Sequence, residues 1–237
     1  SEVTSFATLW DKNAGKKYSF ETDFSTPTKV IHDQSLIISC SKNLLIQSSL
    51  DSLSHTLEAM WNKSYINSYC EPISKSLEIC LNFLNKIGSN SSYQLLIPKM
   101  QEASTLSGCL IQKTKTAAAH SISYPFTSNF KIPHGIACSF TLPEILKYNY
   151  LSNDAKYFEQ IIRSIGFNSI NDFASHLSKL LKKLQLKEYF LHLRSNQDWH
   201  RFISQMANSN RMKNNIRTIS NEDINIIIRK SINNLFA

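Results

Sequence analysis

Ser41-Lys-Asn-Leu44-Leu45-Ile-Gln-Ser-Ser-Leu50-Asp51-Ser-Leu53-Ser-His55-Thr-Leu57-Glu58-Ala-Met60 is where the chain changes period. Leu44, Leu45, Leu50, Leu53, Leu57 and Met60 recur every three to four residues, the spacing of one helix face, and Ser41 stands where a helix N-cap belongs. Upstream the pattern is different. Val3 to Trp10 alternates β-branched and aromatic residues, Asn13-Ala-Gly15 reads as a turn, and Lys17 to Glu21 resumes the alternation, which predicts a hairpin. After Pro27, Lys29 to Ile31 reads as a further short strand. Downstream, apolar spacing predicts helices near 67–88, 92–112, 115–124, 135–149, 153–164, 169–183, 196–207 and 221–235, the last opened by Ser220-x-x-Asp223. With only five glycines and six prolines as punctuation, the reading is a mainly α chain with short connections.

The chain has 237 residues, 42% of them hydrophobic, enough to bury a full core in one large domain or two small ones. Its 26 Lys and Arg against 18 Asp and Glu give a net charge of +8, which suits an anionic small substrate as well as a solvated basic surface. The basic cluster Lys179, Lys182, Lys183 and Lys187 is interleaved with leucines at helical spacing and lacks the aromatic interleaving of a nucleic-acid surface, so nucleic acid is not an expected partner. Five scattered cysteines (Cys40, Cys70, Cys80, Cys109, Cys138) form no CxxC pair and read as reduced, packed thiols. No apolar run approaches the roughly 20 residues of a membrane span, and no signal peptide is evident. The expectation is a soluble cytoplasmic protein without a membrane partner. Ser1-Glu2-Val3-Thr4 opens inside an apparent strand without lead-in, which predicts a cut through a larger protein.

The chemistry lies in four residues. Asp51 and His55, four apart, share one helix face and are close enough to hold one ion, although such a pair is also a common surface ion pair. His120 follows three alanines, which leave its imidazole little steric cover, and His134 sits between Pro133 and Gly135 at a helix entry. One carboxylate and three imidazoles form an N/O set suited to Fe²⁺ or Zn²⁺ rather than Ca²⁺ or Mg²⁺. Four protein ligands close a tetrahedral zinc site, whereas an ion that expands its coordination keeps room for a substrate oxygen; iron is therefore the first choice.

Ser49-Leu-Asp51-Ser-Leu-Ser-His55-Thr-Leu-Glu58, Ala103-Ser-Thr-Leu-Ser-Gly108, His120 and Ile132-Pro-His134-Gly135 together resemble the signature of the iron-containing alcohol dehydrogenases. The likeness runs from Ser1-Glu-Val-Thr4, similar to the tail of that family's Gly-Thr-Gly-Ser-Glu-Val-Thr cofactor segment, to Arg211-Met-Lys-Asn-Asn215. It implies a helical-bundle metal-binding domain of the dehydroquinate synthase C-terminal type, with Asp51, His55, His120 and His134 as ligands. It also implies an NAD(P)H cofactor, an alcohol or aldehyde substrate, and a dinucleotide-binding domain whose Gly-Gly-Gly-Ser loop does not occur here. Residues 1–40 are then its remaining strands and 41–237 the metal domain; a homodimer is compatible with this organisation. Thr8, Lys17 and Leu36 fall where the family contacts its cofactor, although as bare residues they read as a sheet residue, an exposed strand charge and a core side chain.

One departure is informative. Four residues after His120, where better-studied members carry a second histidine, this chain has Tyr124, a phenol with a reference pKa near 10 that can serve as a general acid or simply pack against Phe126. Lys113-Thr-Lys115-Thr and His120-Ser-Ile-Ser-Tyr124-Pro resemble the branch that reduces phosphonoacetaldehyde, which implies Lys113 or Lys115, with Arg211 and Asn215, as a phosphonate grip. Two other classes fit the residues less well: a metal-dependent hydrolase, for which Glu58 is the available base, and a non-catalytic helical interaction module. On the dehydrogenase reading the 237 residues alone bind metal and turn over no alcohol.

Overall fold

The computed structural model describes residues 2–11, 16–89 and 91–237. It opens with strands β1 (Phe6–Asp11) and β2 (Lys16–Glu21), paired antiparallel in a register running from Phe6 opposite Glu21 to Asp11 opposite Lys16. The expected hairpin is therefore present, while the Asn13-Ala-Gly15 turn lies outside the described residues. The strand expected at Lys29 to Ile31 does not form: among the described residues the segment pairs with neither strand, and Ile31 is exposed. Without a partner for its backbone groups an extended stretch has no ladder to join.

Helices then follow in the order α1 (Ser35–Ile38), α2 (Lys42–Met60), α3 (Cys70–Gly88), α4 (Ile97–Thr114), α5 (Ala118–Ser128), α6 (His134–Ser139) and α7 (Leu142–Tyr150). The remainder are α8 (Tyr157–Ser164), α9 (Ile170–Lys183), α10 (Leu193–Asn196), α11 (Ile203–Ala207) and α12 (Asn221–Phe236). Ser41 caps α2 by accepting from the Leu44 N–H, and Ser220 with Asp223 forms a reciprocal capping box on α12. The continuous helix expected over 135–149 is two helices. Pro143 is the cause, since its ring would collide with the carbonyl of Ser139, four residues back, and α6 ends there.

Helix α2 is central. Leu50, Leu53, Leu57 and Met60 are fully buried where α2 packs on α3, α4 and α6. Each such side chain contributes about 1.5–3 kcal/mol by leaving water, which holds the functional half of α2 rigid. Past its end, Ile216 N–H donates to the Trp61 carbonyl at 2.9 Å and Lys63 N–H to the Asn214 carbonyl at 2.9 Å, tying the C-terminal region to the same helix. No helix among the described residues is long and apolar enough to cross a membrane.

Candidate metal centre

Three helices carry the centre. Asp51, His55 and Glu58 project from one face of α2 at i, i+4 and i+7, His120 lies in the first turn of α5, and His134 opens α6. What lets α6 come close enough is Gly135: a Cβ there would stand 1.9 Å from the Gln47 carbonyl oxygen and 3.3 Å from the Asp51 nitrogen. Only a residue without a side chain permits that backbone approach, and it seats His134 against Asp51.

Three imidazole nitrogens face one oxygen of Asp51, and Asp51, His120 and His134 belong to a group of donors within 4.8 Å of one another. Asp51 Oδ1 lies 3.7 Å from His55 Nε2, 3.5 Å from His120 Nε2 and 3.8 Å from His134 Nε2. Donors sharing one tetrahedral ion at bonds of about 2.1 Å are separated by about 3.4 Å, so the observed spacings are a few tenths wider than a filled shell. The His55 and His120 rings stack at 4.8 Å between centroids, and His134 meets His120 edge-on at 5.4 Å. Asp51 Oδ1 and His120 Nε2 are buried without a hydrogen-bond partner. Orphaned polar atoms inside a protein are costly and uncommon, and a cation between these two atoms satisfies both. The donor set and its orphans thus fit a borderline divalent ion.

The electrostatics agree. Burial pushes the Asp51 carboxyl up, but the three imidazoles, His55 foremost, outweigh it and hold the acid well below the usual carboxylate range. Burial pulls His55 down to about 4, so it is a neutral imidazole with a free lone pair at neutral pH. His120 is buried too, yet Cys138, Glu58 and Asp51 around it raise it above the ordinary histidine range in the metal-free protein. His134 is raised by Cys138 first and then by Asp51. Its side chain is 51% exposed, against 8% for His120, so the centre opens to solvent on the His134 flank.

Two neighbours had no assigned place in the ligand set. Cys138, one turn after His134, places Sγ 3.6 Å from His134 Nε2, and its sulfur lies within 4.8 Å of donor atoms of Asp51, His120 and His134. Glu58 is fully buried, with Oε2 2.5 Å from His120 Nδ1 and Oε1 accepting the His120 backbone N–H at 3.0 Å. Their signals were the i+4 interval from His134 and the i+7 interval from Asp51, each of which shares a face with a ligand.

The remaining candidates lie as follows. Tyr124 follows His120 by one turn of α5 and is 37% exposed. Leu36, in α1, is 73% exposed and so is not the core side chain that its composition alone implies. Thr8 and Lys17 occupy β1 and β2, their side chains lying outside the description. Lys113 and Arg211 are exposed. Lys115 pairs its ammonium with Glu21, over the Phe6 ring. Asn215 is buried and exchanges two hydrogen bonds with Asn149 at 3.1 and 2.7 Å while donating to the Arg217 carbonyl.

Comparison with known proteins adds to this geometry. A family model described as the Fe-containing alcohol dehydrogenase family, C-terminal, matches residues 45–232. The chain is 29% identical over 153 residues to a phosphonoacetaldehyde reductase of Streptomyces viridochromogenes, covering 63% of this chain and 38% of that protein. It is 29% identical over 158 residues to an aldehyde-alcohol dehydrogenase of Clostridium acetobutylicum, covering 66% and 18%. It therefore spans less than two fifths of either relative. Among solved structures, a sulfoacetaldehyde reductase from Bifidobacterium kashiwanohense in complex with NAD+ superposes with a TM-score of 0.86 at 22% identity, over 98% of this chain and 61% of that one.

Proposed function

Because the chain belongs to the iron-containing alcohol dehydrogenase family, we propose that it is the metal-holding part of an NAD(P)H-dependent aldehyde reductase, also run in reverse as an alcohol dehydrogenase. Asp51, His55, His120 and His134 hold the ion, Fe²⁺ by preference and Zn²⁺ as the alternative. The observation that carries the reading is the approach of three imidazole nitrogens to within 3.8 Å of Asp51 Oδ1, an atom that, like His120 Nε2, is buried without a hydrogen-bond partner.

The bound ion supplies Lewis-acid stabilisation of the charge that develops on the carbonyl oxygen during reduction. The chain's own residues do the rest. Asp51 contributes the one negative charge of the ligand set, and neutral His55 adds none to oppose a cation. The open flank at His134 admits the aldehyde, and the Tyr124 hydroxyl, one turn from His120, hands a proton to the product oxygen.

Residues 41–237 form the metal domain, and residues 1–40 belong with a dinucleotide-binding unit that takes up the cofactor beside Thr8, Lys17 and Leu36. Supporting this division, Phe20, Phe24, Ile31, Leu36, Ile38 and Leu44 leave an apolar surface exposed along the first 44 residues. The substrate is an aldehyde bearing an anionic group, phosphonoacetaldehyde being the specific candidate, in line with the basic charge and the 29% identical relative. Of the cationic and amide residues, Lys113 and Arg211 have exposed side chains for that grip, whereas Lys115 is held by Glu21 and Asn215 by Asn149. The hydrolase reading loses its base, since both Glu58 oxygens are spent on His120.

The test is to load the protein with Fe²⁺ or Zn²⁺ and measure ion content beside NADH- and NADPH-dependent reduction of neutral and anionic aldehydes. One tightly held ion per chain, lost in Asp51→Ala and His134→Ala, is the expected result, with the 237 residues alone binding it and turning over nothing. Absence of a stoichiometric ion, or turnover by these residues alone, overturns the reading.

A further inference from the structure

His120 lies between two carboxylates: its Nε2 faces Asp51 at 3.5 Å and its Nδ1 meets Glu58 Oε2 at 2.5 Å. An imidazole that ligates through one nitrogen must carry its proton on the other, and the group that accepts that proton fixes both tautomer and ring orientation. Glu58 is a fully buried carboxylate, and it spends its second oxygen on the His120 backbone N–H at 3.0 Å. That N–H belongs to the first turn of α5, whose N-cap, Ala117, has no side chain able to accept it. A single carboxylate from α2 thereby grips both the ring and the backbone of the same residue, while Asp51, two turns earlier on the same helix face, approaches the ring from the other side.

Resting on the metal reading above, we propose that Glu58 is a positioning residue for the centre. It holds His120 as the Nδ1–H tautomer, so that Nε2 presents its lone pair to the ion. A glutamine in its place retains one acceptor for two donors: either the ring or the backbone N–H loses its partner, and an amide N–H facing Nδ1 forces the imidazole proton onto Nε2, where it blocks coordination.

The experiment compares wild-type protein with Glu58→Gln, Glu58→Asp and the control Glu144→Gln, a buried carboxylate in α7 that pairs with Lys147 and Asn234 instead. Zn²⁺ affinity is read by competition with a chelator, and thermal midpoints are taken with and without the ion. Positioning predicts 10–100-fold weaker Zn²⁺ binding in Glu58→Gln, with a smaller ion-induced rise in midpoint, and unchanged affinity in Glu144→Gln. Nitrogen-15 spectra of the histidines place the His120 proton on Nδ1 in the zinc-loaded wild type. A purely structural role lowers the midpoints with and without the ion equally and leaves affinity within about threefold of wild type; that result overturns the proposal while the metal centre stands. Wild-type protein that binds no Zn²⁺ overturns both. If Glu58→Gln does not fold, Glu58→Asp, too short to serve both donors, decides by the same comparison of affinities.

Discussion

Replacing Gly135 by alanine tests how the fold builds the centre. The added Cβ would stand 1.9 Å from the Gln47 carbonyl oxygen and 2.8 Å from its carbon. Both atoms are backbone in the middle of α2 and have no rotamer to change. Relieving the overlap to an ordinary carbon–oxygen contact of about 3.3 Å requires α6 to retreat by about 1.4 Å. The 3.8 Å separation between His134 Nε2 and Asp51 Oδ1 then grows to roughly 5 Å. An ion with bonds of about 2.0–2.2 Å spans at most about 4.4 Å between two donors, so His134 and Asp51 can no longer share it. Overpacking costs about 1–3 kcal/mol of stability, and ion affinity falls by more than the 10–100-fold that a lost outer-shell partner costs. Urea unfolding gives the first quantity and competition for Zn²⁺ with a chelator the second. Gly166→Ala is the control: Gly166 has φ +92° and open space around it, so alanine there costs about 1 kcal/mol through backbone conformation alone and leaves the ion in place. Gly135→Ala that binds Zn²⁺ within threefold of wild type refutes the close-approach argument.

Two further outcomes follow from the same geometry. In the metal-free protein His55 titrates near 4 when folded and near 6.5 when unfolded, so between those values only the unfolded chain takes up its proton. Stability is therefore lost as pH falls from about 5.5 to 4, by up to about 2 kcal/mol; His120 and His134, raised above the ordinary histidine value, are charged in both states across that window and add little slope. Urea midpoints at several pH values check this, and a flat profile in the wild type, or one unchanged in His55→Gln, contradicts it. Asn215→Ala strands both groups of the buried Asn149 amide and lowers stability by about 1–3 kcal/mol, while ion affinity stays unchanged. A loss of binding in that variant, with normal stability, would move Asn215 into the site.

Much of this architecture is written locally. The leucine spacing of α2, the Ser41 cap and the Ser220–Asp223 box are one-turn patterns that sequence displays directly, and each occurs where those residues predict it. Other features depend on partners far away in the chain. Lys29 to Ile31 has strand-forming residues but no strand beside it. The helix expected from 115 starts at Ala118 because Lys115 takes φ +65°, a conformation no propensity anticipates, and there its carbonyl accepts from the Asn62 side chain. Asp51 and His55 are legible as a pair through their helical interval. His120 and His134 join them through a resemblance, because contacts between helices cannot be derived from spacing. The same limit hid Glu58 behind His120, Cys138 beside His134, and the backbone approach at Gly135.

Anomalous diffraction at the iron and zinc edges, from crystals grown with each ion, addresses the four-ligand centre directly. The account predicts a single strong peak within about 2.0–2.3 Å of Asp51, His55, His120 and His134 together. A map with no peak among those side chains, or with its peak held by a different set, contradicts it.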